Sequence, residues 1–442
     1  ACDPVPTAIR RKAKLADNLP EAPGVYQFLG PNDEVLYVGT SINLRKRVRS
    51  YFTAAEKRKQ ITEMVQIAER VVPIVCATGL EAAVRELRII AAKNPRYNRR
   101  SKHPDKSTWV RLTDEPYPRL TMVRQVTDSS APHIGPYPSQ NAAREAMAAL
   151  QQAIPLRQCT KKLALHPKDT GSPCVLAGLG KCSAPCLAVA EVDTEYKSVV
   201  EAALSALAGD PSVVVQAVSA RVAELAAKAR FEEAACETVQ LKAFLTGAAK
   251  AQKLYPLAAC PELVAARPVT KSSSPGASTG RGSEGRSSRV AGGYCAPAAN
   301  PIAPDGWELA VIKYGRLAGS AWCGPHDDLK GTIAALRATA EFVAPSTPPM
   351  PAALPEEAHL ILNWLDSPGV RLVFAETPWA LPVRSAIPYL SLAEVSDAVH
   401  HALVEVSEAR VPLLAPIMNN NNAVPNEKEV PNVVKSAMLR AC

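Results

Sequence analysis

Nowhere in its 442 residues does the chain carry an apolar run approaching the ~20 residues that a membrane-spanning helix needs. No membrane partner is therefore expected. No secretory signal peptide opens it. Its cysteines number 11, an odd count that argues against a secreted disulfide framework. A reducing, cytoplasmic setting is the expectation. There is no internal repeat, and no Cys-x-x-Cys pair of the kind structural zinc prefers. The sequence opens at Ala1 rather than Met, which reads as processing or as part of a longer chain.

What is present begins with proline: 39 residues against 22 glycines, a balance that points to long connections. Apolar residues make up 47% of the chain, enough for globular cores, and the length suggests two to four domains. The net charge is +9, and its placement matters more than its size. Residues 1–100 hold 18 Lys/Arg against 10 Asp/Glu, an excess of eight. A phosphate-bearing partner is the natural reading of such a segment.

The pattern divides the chain as follows. Residues 1–18 form a basic lead-in, and 19–101 a compact domain with the order strand, strand, helix, helix, strand, helix. Residues 102–155 form a small α/β unit with strands near 109–112 and 119–123 and a helix over 140–153. Residues 156–190 are Cys-rich and 191–255 helical. Residues 256–299 read as a flexible linker, 300–410 as a C-terminal α/β region of unknown role, and 411–442 as a disordered tail. The fold class expected is multidomain α/β (α+β), with a short sheet flanked by helices in the first domain.

Candidate chemistry concentrates between Pro23 and Asn98. Gly24-Val25-Tyr26 and Leu36-Tyr37-Val38-Gly39 flank the turn signal Gly30-Pro31-Asn32-Asp33, which reads as a hairpin. A basic helix follows, with Arg45, Lys46, Arg47 and Arg49. Arg47 and Tyr51 stand at i, i+4 and so share a face. Glu86 has Ala82, Ala83, Ile89 and Ile90 as its helical neighbours, so its carboxylate lies on an apolar face. Such a charge must be paired, protonated or bound to metal. One carboxylate suits Mg²⁺ or Mn²⁺, which keeps most of its waters. Pairing with a nearby arginine, a solvated basic face and half-buried packing tyrosines are the plainer readings of the same residues.

Taken in order, these pieces resemble the GIY-YIG endonucleases. The match runs through Gly24-Val25-Tyr26, Tyr37-Val38-Gly39, Asn43-Leu44, Arg47 to Tyr51-Phe52, Glu81-Ala82, Glu86 and Pro95-Arg96-Tyr97-Asn98. Within that superfamily it is most similar to the UvrC/Cho group, whose N-terminal nuclease makes the 3′ incision in nucleotide excision repair. The resemblance implies that Tyr37 or Tyr26 helps activate water, Arg47 stabilises the phosphorane, and Glu86 holds the divalent metal. It implies that Tyr51 and Asn98 position substrate or metal-bound groups. Arg45, Lys46, Arg49, Arg99, Arg100 and Lys106 are the candidate contacts to double-stranded DNA, expected to be damaged DNA. A departure stands at Thr40, where UvrC commonly has lysine.

Cys159, Cys174, Cys182 and Cys186 cluster, and four thiols in a reducing compartment suggest a metal. Zn²⁺, an Fe–S cluster and unligated cysteines all remain open on spacing alone. The segment resembles the cysteine-rich region of UvrC, which implies a [4Fe–4S] cluster. Apolar residues at helical spacing predict an antiparallel hairpin, with Val218, Val222 and Leu225 on one helix and Phe231, Ala235, Val239 and Leu241 on the other. Phe231-Glu232-Glu233-Ala234-Ala235 resembles the UVR motif, implying a UvrB-like partner, although Thr238-Val239 stands where that motif usually has Arg-Asp. The resemblance covers residues 19–255. Beyond them there is no clear carboxylate set and no Gly-rich helix-hairpin-helix. Similar chains exist in which a DnaQ-like exonuclease precedes a UvrC-like half. A metal-dependent DNA endonuclease and a non-catalytic repair scaffold retaining fold and cluster are the two functional readings.

Overall fold

The computed structural model describes residues 12–53, 58–98, 107–128, 130–164, 173–187, 190–269 and 304–391. The lead-in up to residue 11, the low-complexity stretch 271–293 and the tail 411–442 lie outside them. Contacts divide the chain into two compact units, one of residues 1–107, 124–130 and 253–381, the other of residues 108–123, 131–252 and 382–442.

The first unit opens with strands β1 (Gly24–Leu29) and β2 (Val35–Ser41) and helices α1 (Leu44–Ser50) and α2 (Lys59–Ile67). Strand β3 (Arg70–Val75) and helix α3 (Gly79–Lys93) follow, in the order expected. The sheet order is β2-β1-β3, antiparallel throughout. Asn32 and Asp33 turn the hairpin at φ of 60° and 59°, a left-handed conformation those two residue types tolerate. Strand alternation then sorts the core. Val25 and Val38 face α3, packing with Ala82 and Ile90. Tyr26 and Phe28 face α1 and α2, packing with Leu44, Val48, Tyr51, Met64 and Val65. The sheet is thus covered on both sides. Asn43 caps α1 by accepting from the Lys46 N–H at 2.9 Å. Thr78 caps α3 by accepting from the Glu81 N–H at 3.1 Å, and Glu81 reaches back to the Ala77 N–H at 2.8 Å.

The second unit pairs β4 (Thr108–Leu112), β5 (Leu120–Val123) and β6 (His133–Tyr137) in the order β5-β4-β6. Helix α4 (Gln140–Ala153) buries Ala143, Ala146, Ala149 and Leu150. Strand β6 was not foreseen, because His133-Ile134-Gly135-Pro136-Tyr137 has the composition of a turn. After the one-turn helix α5 (Val175–Gly178) come α6 (Ala190–Ala208), α7 (Ser212–Ala227) and α8 (Phe231–Ala259). Val218 and Leu225 of α7 are buried as the periodicity predicts. The expected face of α8 is buried only in part: Leu241 packs against the core, whereas Phe231 is 60% and Val239 46% exposed. That helix continues far past the expected hairpin and buries Phe244, Leu245, Ala248 and Ala249 instead.

The chain then returns to the first unit. Strands β7 (Leu263–Val269), β8 (Gly306–Lys313) and β9 (Arg316–Cys323), helices α9 (Leu329–Thr339) and α10 (Pro355–Leu365), and strand β10 (Arg371–Ala375) build an antiparallel sheet of order β10-β7-β8-β9. This corrects the linker expected over 256–299, since residues 263–269 form an interior strand of that sheet. Proline obscured it. Pro268 lies beyond the stretch of β7 that β10 covers, where the missing N–H is tolerated. Helix α10 lies against α3 and β9. Among the described residues no single helix is long and apolar enough to cross a membrane.

Candidate active site

Three tyrosines from three elements meet on the α1 side of the first sheet. Tyr26 of β1 and Tyr51 at the end of α1 are 1% and 3% exposed, and their hydroxyls share a hydrogen bond at 2.6 Å. Tyr37 of β2 is half-buried and stands 6.3 Å from the Tyr26 ring and 6.2 Å from the Tyr51 ring, centroid to centroid. Arg47, one turn before Tyr51, lies over its ring at 5.2 Å. The signature glycine of β2 has a steric cause: a Cβ on Gly39 would stand 2.4 Å from the Tyr26 hydroxyl. The Tyr26 side chain therefore occupies the space that Gly39 leaves.

The Arg47 guanidinium lowers the pKa of all three tyrosines, but burial outweighs it. Burial pushes the Tyr26, Tyr37 and Tyr51 hydroxyls above the usual phenol value. For Tyr37 the neighbouring Tyr51 and Glu86 push in the same direction, and Arg47 pulls down less strongly. The neutral phenol is thus the resident form of all three.

Glu86 is half-buried on α3, and among the described residues it has no ion-pair partner. Burial raises its pKa, and a long hydrogen bond donated by Thr40, 3.4 Å to Oε2, lowers it. The arginine pairing that a plain reading allowed is taken by other residues of the helix. Arg85 binds Glu81 at 2.7 Å, and Arg88 faces away. A desolvated, cation-free carboxylate that faces hydroxyl groups fits a hard divalent ion.

Asn98 has its side-chain amide engaged on β2. Its Oδ1 accepts from the Val38 N–H and its Nδ2 donates to the Val38 carbonyl, both at 2.9 Å. Both ends of the amide are used on β2 between Tyr37 and Gly39. Of the basic residues expected on DNA, Arg45 is committed to the Leu19 carbonyl at 2.6 Å and to Glu21 at 2.8 Å. Arg49 pairs with Asp17 at 3.1 Å, an exposed contact that a phosphate could displace. Lys46 is exposed. Arg99, Arg100 and Lys106 lie outside the described residues.

Cys159, Cys174, Cys182 and Cys186 lie in the second unit and are not joined in disulfides among the described residues. Cys182 is buried, and burial together with the fields of the other three raises its pKa. The other three are therefore within electrostatic reach of Cys182. They are not closed into a cage: among the described residues no group of three or more His, Cys, Asp or Glu is arranged to hold a metal. Arg157, 1% exposed, donates to the Cys159 carbonyl at 2.9 Å and pairs with Glu115.

A hairpin carrying paired glycine–tyrosine signatures, a basic helix and a lone carboxylate on the third helix together define a GIY-YIG domain. Residues 22–99 match the family described as the UvrC-like GIY-YIG domain, and residues 107–206 the UvrC/Cho excinuclease middle domain. Over residues 22–206 the chain is thus similar to the UvrC/Cho proteins, with a UvrC-like GIY-YIG domain followed by a UvrC/Cho-like middle domain. A Mycobacterium tuberculosis protein named as a bifunctional exonuclease/endonuclease is 35% identical over 406 residues, 91% of this chain and 57% of its own length. The UvrABC system protein C of Geobacter metallireducens is 38% identical over 232 residues, 51% of this chain and 36% of its own length. The chain thus spans about half, or less, of the length of these relatives. A crystal structure of the N-terminal GIY-YIG endonuclease domain of UvrC from Thermotoga maritima, bound to magnesium as its catalytic divalent cation, is 29% identical. It covers 21% of this chain and 99% of that chain, with a TM-score of 0.19.

Proposed function

We propose that the chain is a metal-dependent endonuclease that hydrolyses a phosphodiester bond of damaged DNA, as in nucleotide excision repair. The observation that carries this reading is Glu86, a half-buried carboxylate without a cation partner among the described residues, across from Tyr37 and Thr40. Glu86 would hold Mg²⁺ or Mn²⁺, which when bound supplies positive charge for the developing phosphorane. Tyr37, the most exposed of the three tyrosines, orients the attacking water through its hydroxyl. Its raised pKa favours that role over proton abstraction. Arg47 binds a non-bridging oxygen and stabilises the charge that builds on it. Water adds to phosphorus, one bridging P–O bond breaks, and the leaving oxygen takes up a proton. Tyr26 and Tyr51 hold each other and so fix the rings around Tyr37. Lys46 and Arg49 carry the neighbouring DNA backbone.

The experiment is nicking of a lesion-bearing duplex with Mg²⁺ or Mn²⁺. Glu86→Gln is expected to lower the rate at least about a hundredfold, and equal rates in the two proteins would overturn the assignment. The non-catalytic scaffold is favoured by one observation, that Thr40 puts no cation beside the raised Tyr37 hydroxyl. DNA binding without cleavage in wild type would select it.

The four cysteines would hold the [4Fe–4S] cluster or, alternatively, Zn²⁺, with thiolates as the ligands. The reach of the other three to Cys182 and the absence of a disulfide among the described residues support this. Phe231 and Val239, exposed on α8, offer apolar surface to a UvrB-like partner. The name of the Mycobacterium relative supports an exonuclease domain as a neighbour in a longer chain.

A further inference from the structure

Helix α3 has a second polar face, directed at the strands and helices that follow residue 253. Ser320 of β9 donates to Glu81 Oε2 at 2.8 Å. Seven residues along, on the same face, Arg88 donates through Nε to Glu357 Oε2 at 3.0 Å and through Nη2 to Glu357 Oε1 at 2.7 Å. The same Nη2 reaches the Leu317 carbonyl at 2.7 Å, and Nη1 reaches Glu341 at 3.4 Å. Glu357 is fully buried and also accepts the Leu317 N–H at 3.0 Å.

A two-pronged pair of this kind fixes direction as well as distance, and desolvation makes it costly to leave half-made. It therefore sets both the rotation of α3 about its axis and its position along it. Glu86 is two residues from Arg88, on the other side of the same turn. A rotation of α3 that relaxed the Arg88 contacts would carry the Glu86 carboxylate away from Thr40 and Tyr37.

We propose that the Arg88–Glu357 pair is a positioning device for the metal-holding carboxylate. Residues 253–381 are then a working part of the nuclease rather than an appended domain. The inference rests on the reading of Glu86 as metal ligand.

The test is a titration of the full chain with Mn²⁺, followed by electron paramagnetic resonance, with Glu86→Gln as the reference for binding elsewhere. Nicking rates are taken across the same Mn²⁺ range. In Glu357→Gln the apparent dissociation constant for the Glu86 site is expected to rise about tenfold, while the rate at saturating Mn²⁺ stays within about threefold of wild type. Glu341→Gln removes the charge from the long outer contact to Arg88 and from a pair with Arg316 at 3.1 Å, both at an exposed position, and is expected to leave the fold intact. It is expected to raise the constant about twofold to threefold. If Glu357→Gln does not fold, Glu341→Gln decides. Wild-type Mn²⁺ affinity in the folded variants overturns the positioning role. The failure of the nuclease reading looks different: wild type binds Mn²⁺ through Glu86 but does not nick, or nicks as fast as Glu86→Gln.

Discussion

At the scale of single residues, the tyrosine cluster makes the protein sensitive to alkali. Folding keeps the Tyr26, Tyr37 and Tyr51 hydroxyls neutral above the pH at which an unfolded tyrosine ionises, about 10. Raised folded-state values contribute stability that is fully present below that pH and is lost as pH rises through the folded values. Tyr196, pushed up to about 12 by burial, acts in the same sense. The thermal midpoint is expected to hold level from about pH 8 to 9 and to fall above about 10. Tyr37→Phe should fall less steeply, and a flat wild-type profile to about pH 11 would count against the buried cluster. The sequence already made Glu86 legible, because four apolar neighbours surround one carboxylate. The Tyr26–Tyr51 bond was not legible, since nothing in spacing tells which of three rings is sealed inside and which is left half-open.

At the scale of elements, signature positions that read as a motif turn out to be steric and hydrogen-bonding conditions on two strands. Gly39→Ala places a methyl 2.4 Å from the Tyr26 hydroxyl, in a core where that ring has no room to move. A loss of about 1–3 kcal/mol in urea unfolding is expected, with nicking reduced further because Tyr26 is displaced. Loss of activity without loss of stability would place the effect elsewhere. Asn98→Ala strips both partners from the Val38 amide and carbonyl facing it, and an unfolding loss of about 2–4 kcal/mol is expected. An unchanged denaturation midpoint would show that water replaces the amide there. Periodicity located β1 to α3 in order, because each has a clean period and a capping or turn residue at its end. It failed at β6 and β7, whose Gly135-Pro136 and Pro268 carry the composition of loops while their neighbours pair in sheets.

At the scale of the whole molecule, the contacts that matter most are those the sequence hides best. Arg88 and Glu357 are separated by 269 positions, and neither has a neighbour pattern that names the other. The cysteines are the reverse case: their nearness in sequence was plain from spacing, while among the described residues they form no ready-made metal cage. Anaerobically purified protein is expected to be brown, with about four irons per chain and visible absorbance that Cys182→Ser removes. Stoichiometric zinc in place of iron would overturn the cluster.

The clasp made by Asn98 has a consequence for how such a domain can be moved between proteins. Asn98, the last described residue of the matched stretch, supplies a pair of hydrogen bonds to the second strand, so the sheet edge is closed from the domain's own far end. A segment cut one residue short would expose two backbone groups inside the sheet, whereas one cut just after it would travel with its lock. A unit ending on its own fastener completes its first sheet without borrowing a strand, and what it takes from its companion is the setting of its third helix.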